Sequence, residues 1–307
     1  MLLRTGAVTL GLGLGLGGWP LARAATAQRR KVLFFTKSSG YEHSVIRHQP
    51  GEMSHAGRIL AELGPKHGID FTFSKDGSLF TPAYLAGFDA FFFYTTGDLT
   101  VRGGDGHPPM TPAGKAAFLE AIHNGKGFIG SHSATDTFHT NEPAGTGTGG
   151  RPDRYQNYGE QADPYVQMIG AEFIVHGTQQ KSRMRVVDPI FPGMKAAGEG
   201  FELHEEWYSL KDFARNLHVL LIQETEGMTG EMYRRPPYPA TWARMHGQGR
   251  VFYTSMGHRE DVWTNPVFQE ILLGGVAWAV RNVEADATPN IDEAAPGYAV
   301  IPPGGRR

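Results

Sequence analysis

The chain has 307 residues, with 29 basic side chains against 31 acidic ones, and 13 histidines. It contains no cysteine, which excludes disulfides, a thiol nucleophile and a cysteine-linked lipid anchor. The balance is mildly acidic and no basic stripe interrupts it, so nothing points to nucleic acid as a partner.

In chain order, residues 1–24 come first. Arg4 precedes an uncharged Gly- and Leu-rich run, and Ala22-Arg23-Ala24 supplies small residues at a cleavage site. That layout predicts a secretory leader cut after Ala24, with an uncleaved membrane anchor as the alternative, although the run is short and glycine-rich for a membrane span. The mature chain is then expected to be exported, to the periplasm or outside the cell, and to hold no stable membrane insertion. Losing Arg4 and Arg23 moves the net charge from −2 to −4. The roughly 280 remaining residues are enough for one large domain held by its own core.

Residues 31–36 are an apolar run expected to form a buried parallel strand. Residues 51–63 follow as an amphipathic helix burying Met53, Ala56, Ile59, Leu60 and Leu63. Strands are predicted at 69–73 and 90–94. A helix is capped by Thr111, carries Pro112 in its first turn and stops at Gly125. Residues 127–130 are a fourth strand, which runs directly into Ser131-His132. The alternation predicts an α/β fold: an open, mostly parallel sheet with helices on both faces. Such sheets build their sites beyond the carboxyl ends of the strands. Three of these ends carry polar groups: Ser39-Gly-Tyr-Glu-His43, Thr95-Thr-Gly-Asp98 and His132.

Residues 140–164 form a long glycine-rich loop, expected at the surface as a mobile segment or a lid. Further strands are expected at 183–187, 217–222 and 250–254, with a turn-rich stretch at 225–239. A helix opens at Asn265-Pro266 and buries Phe268, Ile271, Leu272, Val276 and Trp278. The α/β domain is taken to span 25–287, followed by a Pro/Gly-rich tail over 288–307 that wraps the surface or frays.

Imidazoles and carboxylates near neutrality either transfer protons or bind a divalent metal. His132 follows a strand at once, and His258 ends a strand in a tight Gly turn. His176 closes Gly170-Ala-Glu-Phe-Ile-Val-His176, and His204-Glu-Glu-Trp-Tyr208 packs an imidazole and two carboxylates together. No HExxH or other close ligand pair is present. A metal site must therefore be assembled from distant segments, and a polar cleft is the stronger reading. Plainer alternatives stand beside these. His43 could serve its own turn, His176 the surface, and His204 and Glu205 the solvent, while Asp98 and Asp136 could cap turns. Glu206, set against Trp207 and Tyr208, reads as buried and paired. Trp242, Phe252 and Tyr253 read as core, and Arg259 as an anion contact.

The same segments resemble the ThuA-like family, named for trehalose utilisation. The landmarks are Thr36-Lys-Ser-Ser-Gly-Tyr-Glu-His43, Tyr94-Thr-Thr-Gly-Asp98, Gly127-Phe-Ile-Gly-Ser-His-Ser-Ala-Thr-Asp-Thr-Phe138, Gly170-Ala-Glu-Phe173 with His176, Glu206-Trp-Tyr208, and Pro239-Ala-Thr-Trp-Ala-Arg244 leading to His258. They cover roughly residues 31–282. The resemblance implies a class I glutamine amidotransferase-like, flavodoxin-like three-layer sandwich. Where the amidotransferases carry a nucleophilic cysteine, this chain reads Gly130-Ser-His132-Ser, so thiol hydrolysis of glutamine is ruled out. His132 resembles the family's central site residue, with His43, His176, Glu206 and His258 as companions.

On this basis the expected protein is an exported hydrolase or lyase of disaccharide or keto-sugar catabolism, with a small sugar as ligand. His132, Glu206 and His258 would transfer protons. His43, His176 and His258 would hold a divalent metal such as zinc or manganese. Tyr41, Thr96, Asp98, Asp136, Trp207 and Tyr208 would contact substrate. A non-catalytic sugar-binding domain is the alternative. A metal-dependent amide or ester hydrolase is a third, and it lacks the Gly-x-Ser-x-Gly elbow of serine esterases.

Overall fold

The structure, a computed structural model, describes residues 29–140 and 152–304. The leader expected over 1–24 and part of the glycine-rich loop lie outside the described residues. The strands are β1 (Arg30–Phe35), β2 (Ile69–Ser74), β3 (Ala90–Phe93), β4 (Gly127–Ser131), β5 (Glu172–His176), β6 (Gln180–Val186), β7 (Gly200–Glu205), β8 (Tyr208–Lys211), β9 (His218–Gln223), β10 (Tyr238–His246) and β11 (Gly249–Thr254). The helices are α1 (His55–Leu63), α2 (Pro82–Ala86), α3 (Pro112–His123), α4 (Pro164–Ile169), α5 (Glu260–Trp263), α6 (Pro266–Ala279) and α7 (Ile291–Ala294).

The apolar runs become central strands because they are buried on both faces. Side chains alternate along a strand, so Val32, Phe34 and Phe92 enter one core while Leu33, Phe35, Phe91 and Phe93 enter the other. The first core is closed by α1, α5 and α6 through Leu60, Trp263, Phe268 and Ile271. The second is closed by α2, α3 and α4 through Leu85, Phe118 and Tyr165. Phe93 and Phe118 stack with ring centroids 4.6 Å apart. Helix starts follow their caps: Thr111 accepts from Gly114 N and Asn265 from Val267 N. α1 begins only at His55, because Ser54 is its N-cap, and Met53 therefore lies exposed rather than in the core.

The main sheet has nine strands in the order β2-β1-β3-β4-β11-β10-β9-β6-β7. The pairings among β2, β1, β3, β4 and β11 are parallel. Those from β11 through β10, β9 and β6 to β7 are antiparallel, as is the separate β5–β8 pair. The expectation of a mostly parallel sheet is thus corrected to a mixed, largely antiparallel one flanked by helices. The reason is local. Two residues, Gly247 (φ +59°) and Gln248, join β10 to β11 with His246 opposite Gly249, and so tight a hairpin can only pair antiparallel strands.

Four reversals in succession return β7 to the direction of β11. Glu205 and Glu206 therefore leave the sheet at the same edge as the ends of β1, β3, β4 and β11. The C-terminal stretch packs on β9: the Asn290 carboxamide oxygen accepts from Val219 N at 2.6 Å, and Ile291 and Ala295 are buried. Among the described residues no helix is long and apolar enough to cross a membrane.

Candidate functional site

Four loops at this edge aim side chains at one point. The loop after β1 is tied to the loop after β3 by the Ser38–Thr96 bridge and by Thr96 Oγ1, which donates to the Tyr41 carbonyl at 2.8 Å. Gly97 has φ +73°, and a Cβ there would lie 2.7 Å from Gly40 N, so only glycine permits this approach. The loop so held ends at His43.

β4 runs into His132, whose φ of +44° is strained for a non-glycine residue and turns the chain sharply. The turn is over-determined: Tyr253 Oη donates to the His132 carbonyl at 2.7 Å, and Ser131 Oγ to the Met256 carbonyl at 2.8 Å. After β11, Tyr94 Oη and Trp263 Nε1 both donate to the Gly257 carbonyl, and His258 follows. The Glu205 carboxylate closes this loop from β7, accepting from Gly257 N (2.8 Å), His258 N (3.0 Å) and Glu206 N (2.9 Å).

At the meeting point, ligand-type atoms of His43, His132, Glu206 and His258 all lie within 4.8 Å of one another. Glu206 Oε2 is 3.1 Å from His258 Nδ1 and 3.5 Å from His132 Nε2, and the two imidazole nitrogens are 3.2 Å apart. His132 Nδ1 lies 3.1 Å from the Ser255 carbonyl and donates to it, which leaves Nε2 as a lone pair facing the cluster. His43 meets the His132 and His258 rings edge-on at 5.0 and 5.1 Å, and its Nδ1 is buried without a partner.

Burial lowers His43 well below the ordinary imidazole value, helped by the neighbouring His132 and His258. Burial also lowers His132, although the neighbouring Glu206 carboxylate opposes this. For His258 burial is outweighed by the Glu206 hydrogen bond and charge, and its value rises. Burial would raise Glu206, but its contacts with the His132 and His258 imidazoles hold it well below the usual carboxylate range. The opposite directions of His132 and His258 favour placing the proton that faces Glu206 on His258. Glu205 behaves oppositely: burial pushes it up to about 7 against its three backbone hydrogen bonds.

His43, Glu206 and His258 of the cluster line a cleft of about 500 Å³, while His132 is fully buried beside them. Of the substrate contacts expected, Tyr41, Asp136 and Tyr208 line it. Tyr41 is exposed at the rim, and Tyr208 packs against His132 with centroids 4.2 Å apart. Thr96, Asp98 and Trp207 do not line it. Thr96 anchors the Tyr41 backbone, Asp98 caps a turn through Thr100, and Trp207 is fully buried with Nε1 donating to the Gln180 carbonyl. His176 stands beside the four convergent groups, half-exposed, with Nδ1 3.3 Å from Glu206 Oε1. Arg259 pairs with Asp261 and Gln179.

Sequence reasoning missed Glu205, which was read as solvated and is buried, and it missed His139. The latter lines the cleft with Nε2 2.6 Å from Asp136 Oδ1 and Nδ1 3.0 Å from Glu172 Oε1. The signal for Glu205 lay in the β7 alternation; nothing local marked His139.

The four donors fit a metal ion on their own chemistry. Glu206 Oε2 and the His132 Nε2 lone pair both lie within 3.2 Å of His258 Nδ1, and the buried His43 Nδ1 has no hydrogen-bond partner among the described residues. An acceptor-rich, water-poor point of this kind favours a cation. Three imidazoles and one carboxylate are a ligand set that suits zinc better than manganese, which prefers oxygen.

The sequence model of the ThuA family, described as trehalose utilisation, matches residues 31–279. Among solved structures the chain is similar to a protein of Bacteroides uniformis described as ThuA-like, with 19% identity, a TM-score of 0.59, and 85% of this chain and 95% of that one covered. It is also similar to one of Parabacteroides merdae described in the same way (18%, TM-score 0.53, 84% and 92% covered). A cytoplasmic protein of Salmonella typhimurium shares the fold at 12% identity and a TM-score of 0.51, with 81% and 98% covered. At these identities the likeness establishes the fold alone. No relative was found among curated protein sequences.

Proposed function

The chain belongs to the ThuA, or trehalose-utilisation, family, and on that premise we propose that it is a carbohydrate-active enzyme whose His43, His132, Glu206 and His258 hold a divalent metal ion in the wall of a sugar-binding cleft. One observation carries this reading: four donors from four distant segments converge within 4.8 Å, and the buried Nδ1 of His43 has no hydrogen-bond partner among the described residues. A zinc-class ion in that position would supply Lewis-acid polarisation of a sugar carbonyl. The reaction we assign is hydrolysis or elimination at the glycosidic bond of a keto-sugar, in which the carbonyl acidifies the neighbouring C–H.

The chain's own residues prepare the site. The Ser255 carbonyl fixes the His132 tautomer, Glu205 sets the Gly257–His258 turn, and Tyr208 packs its ring on His132. The same reading takes the five parallel strands and the strained turn at His132 as the counterpart of the amidotransferase framework, with histidine in place of the nucleophile. Without cysteine, thiol chemistry is excluded. It also takes residues 1–24 as a cleaved leader and the mature protein as periplasmic or secreted; N-terminal sequencing of the product of native expression should begin at Ala25.

A second reading is favoured by the 3.2 Å contact between His132, whose proton affinity burial lowers, and His258, whose proton affinity Glu206 raises. Neighbouring groups whose proton affinities are driven apart make an acid–base pair. His132 would then abstract the proton, and His258, kept charged by Glu206, would return one to the leaving oxygen.

Elemental analysis of protein purified without chelator or metal-affinity tag separates the two. Near-stoichiometric zinc, lost in His132→Ala and His258→Ala, is the expected result. A folded wild type that stays empty when zinc or manganese is added back overturns the metal site. Turnover of keto- and unmodified disaccharides, followed by NMR, then decides chemistry; saturable sugar binding that survives His132→Asn without turnover would mark a binding domain.

A further inference from the structure

Beside the cluster, the cleft contains a second polar group whose construction the metal reading does not use. Asp136 lies at the cleft surface, four residues beyond His132, and its Oδ1 is 2.6 Å from His139 Nε2. His139 is buried, and its other nitrogen is 3.0 Å from Glu172 Oε1. Glu172 is itself buried, takes a hydrogen bond from Thr140 Oγ1 at 2.9 Å, and lies 3.5 Å from the Lys211 ammonium. An imidazole bonded to a carboxylate at each nitrogen must donate at both, and so carries the positive charge. Arg154 Nη1, 3.9 Å from Asp136 Oδ1, faces the same oxygen. Among the described residues no hydrogen bond reaches Asp136 Oδ2.

We propose that Asp136 is the carboxylate that accepts hydroxyl hydrogens of a sugar ring in this cleft, and that His139 and Glu172 are positioning residues that hold it oriented for that task. This rests on the reading of the cleft as a carbohydrate site. The physical logic is pre-organisation. A carboxylate with one oxygen locked by a buried imidazolium cannot rotate away, and its free oxygen stays an acceptor matched to a polyol rather than to an apolar or anionic ligand. The groups facing His139 are Asp136 and Glu172, which keep it charged, with Arg154 opposing; Thr140 and Lys211 act on it through Glu172.

The test uses the mature protein as purified, its metal content measured in every variant, with methyl α-glucopyranoside, its 3-keto derivative and trehalose as probes in calorimetry. Asp136→Asn should keep the wild-type metal content and lose at least tenfold in affinity. One monodeoxy methyl glucoside should bind wild type as weakly as the parent sugar binds Asp136→Asn, with no further loss when the two changes are combined. His139→Gln should weaken binding less. Wild-type affinity should fall above about pH 9, where the imidazolium is lost, and this fall should be absent in His139→Gln. Nitrogen-15 spectra at neutral pH should show both His139 ring nitrogens protonated.

Asp136→Asn binding within twofold of wild type, or a wild type that binds none of the sugars, overturns the assignment. A metal-free wild type that still shows the Asp136 effect would leave this inference standing and remove the metal reading.

Discussion

Replacing His139 by glutamine should remove a share of stability that depends on pH in a defined direction. Burial alone would lower this imidazole, but the hydrogen bonds to Asp136 and Glu172 raise it to about 9 in the folded protein, against about 6.5 in an unfolded chain. A raised folded-state value means that the native state binds the proton more tightly. The stabilisation is therefore complete below the unfolded value and disappears as pH climbs through the folded one. Linkage puts it at about 3 kcal/mol near pH 6, about 2 near pH 7.5 and a few tenths near pH 9.5. The downward shift of Glu172 is the same interaction seen from its partner and is not added.

The assay is urea unfolding of wild type and His139→Gln at those three pH values. The variant is expected to be less stable throughout, since two carboxylates lose their buried partner. What matters is the difference, which should shrink by about 3 kcal/mol between pH 6 and pH 9.5. Parallel stability profiles would refute the claim that a charged imidazole is buried there.

Two further substitutions probe the scaffold under the cluster. Glu205→Gln keeps the shape but can offer oxygen to only one side, so its amide N–H₂ meets at least one of the backbone donors at Glu206, Gly257 and His258. Expected are a cost of about 1–3 kcal/mol in denaturation and a drop of roughly 10–100-fold in metal affinity by competition with a chromophoric chelator; unchanged affinity would mean that the turn is held by other contacts. Gly257→Ala forces φ +118° on an alanine and sets its Cβ 2.7 Å from Ser131 Oγ, costing about 1–3 kcal/mol of backbone strain in addition to the clash. Adding Ser131→Ala should recover only part of the melting temperature, and full recovery would show that the backbone carries no strain.

Much of the framework was legible in the sequence because its signals are local. β1, β3 and β4 are continuous apolar runs, as strands buried on both faces must be, and α3 and α6 announce themselves by Thr111-Pro112 and Asn265-Pro266. His132 was recognisable because it follows a strand at once, and His258 because it ends the tight Gly turn after one. In the antiparallel half β6 and β9 were expected as strands, but β7 and β10 were not legible. Tyr238–His246 lies next to a turn-rich stretch, and Gly200–Glu205 mixes polar with apolar residues as an edge strand does.

Within the site, the alternation of Phe201, Leu203 and Glu205 was the one sequence signal for Glu205, and it could be used only once β7 was known to be a strand. Successive residues point to opposite sides, and the side that faces inward follows from the pairing of β7 with β6, which sets Glu205 opposite Gln180. His139 was invisible for the same kind of reason: its partner Glu172 is 33 residues away on another strand. The sequence by itself determined which segments are strands of the parallel half, which histidines follow strand ends, and that thiol chemistry is closed to this chain. Only the tertiary structure decided that His43, His132, Glu206 and His258 share one point, because their convergence comes from strand order and sheet direction, and these are settled by contacts between segments far apart in the chain.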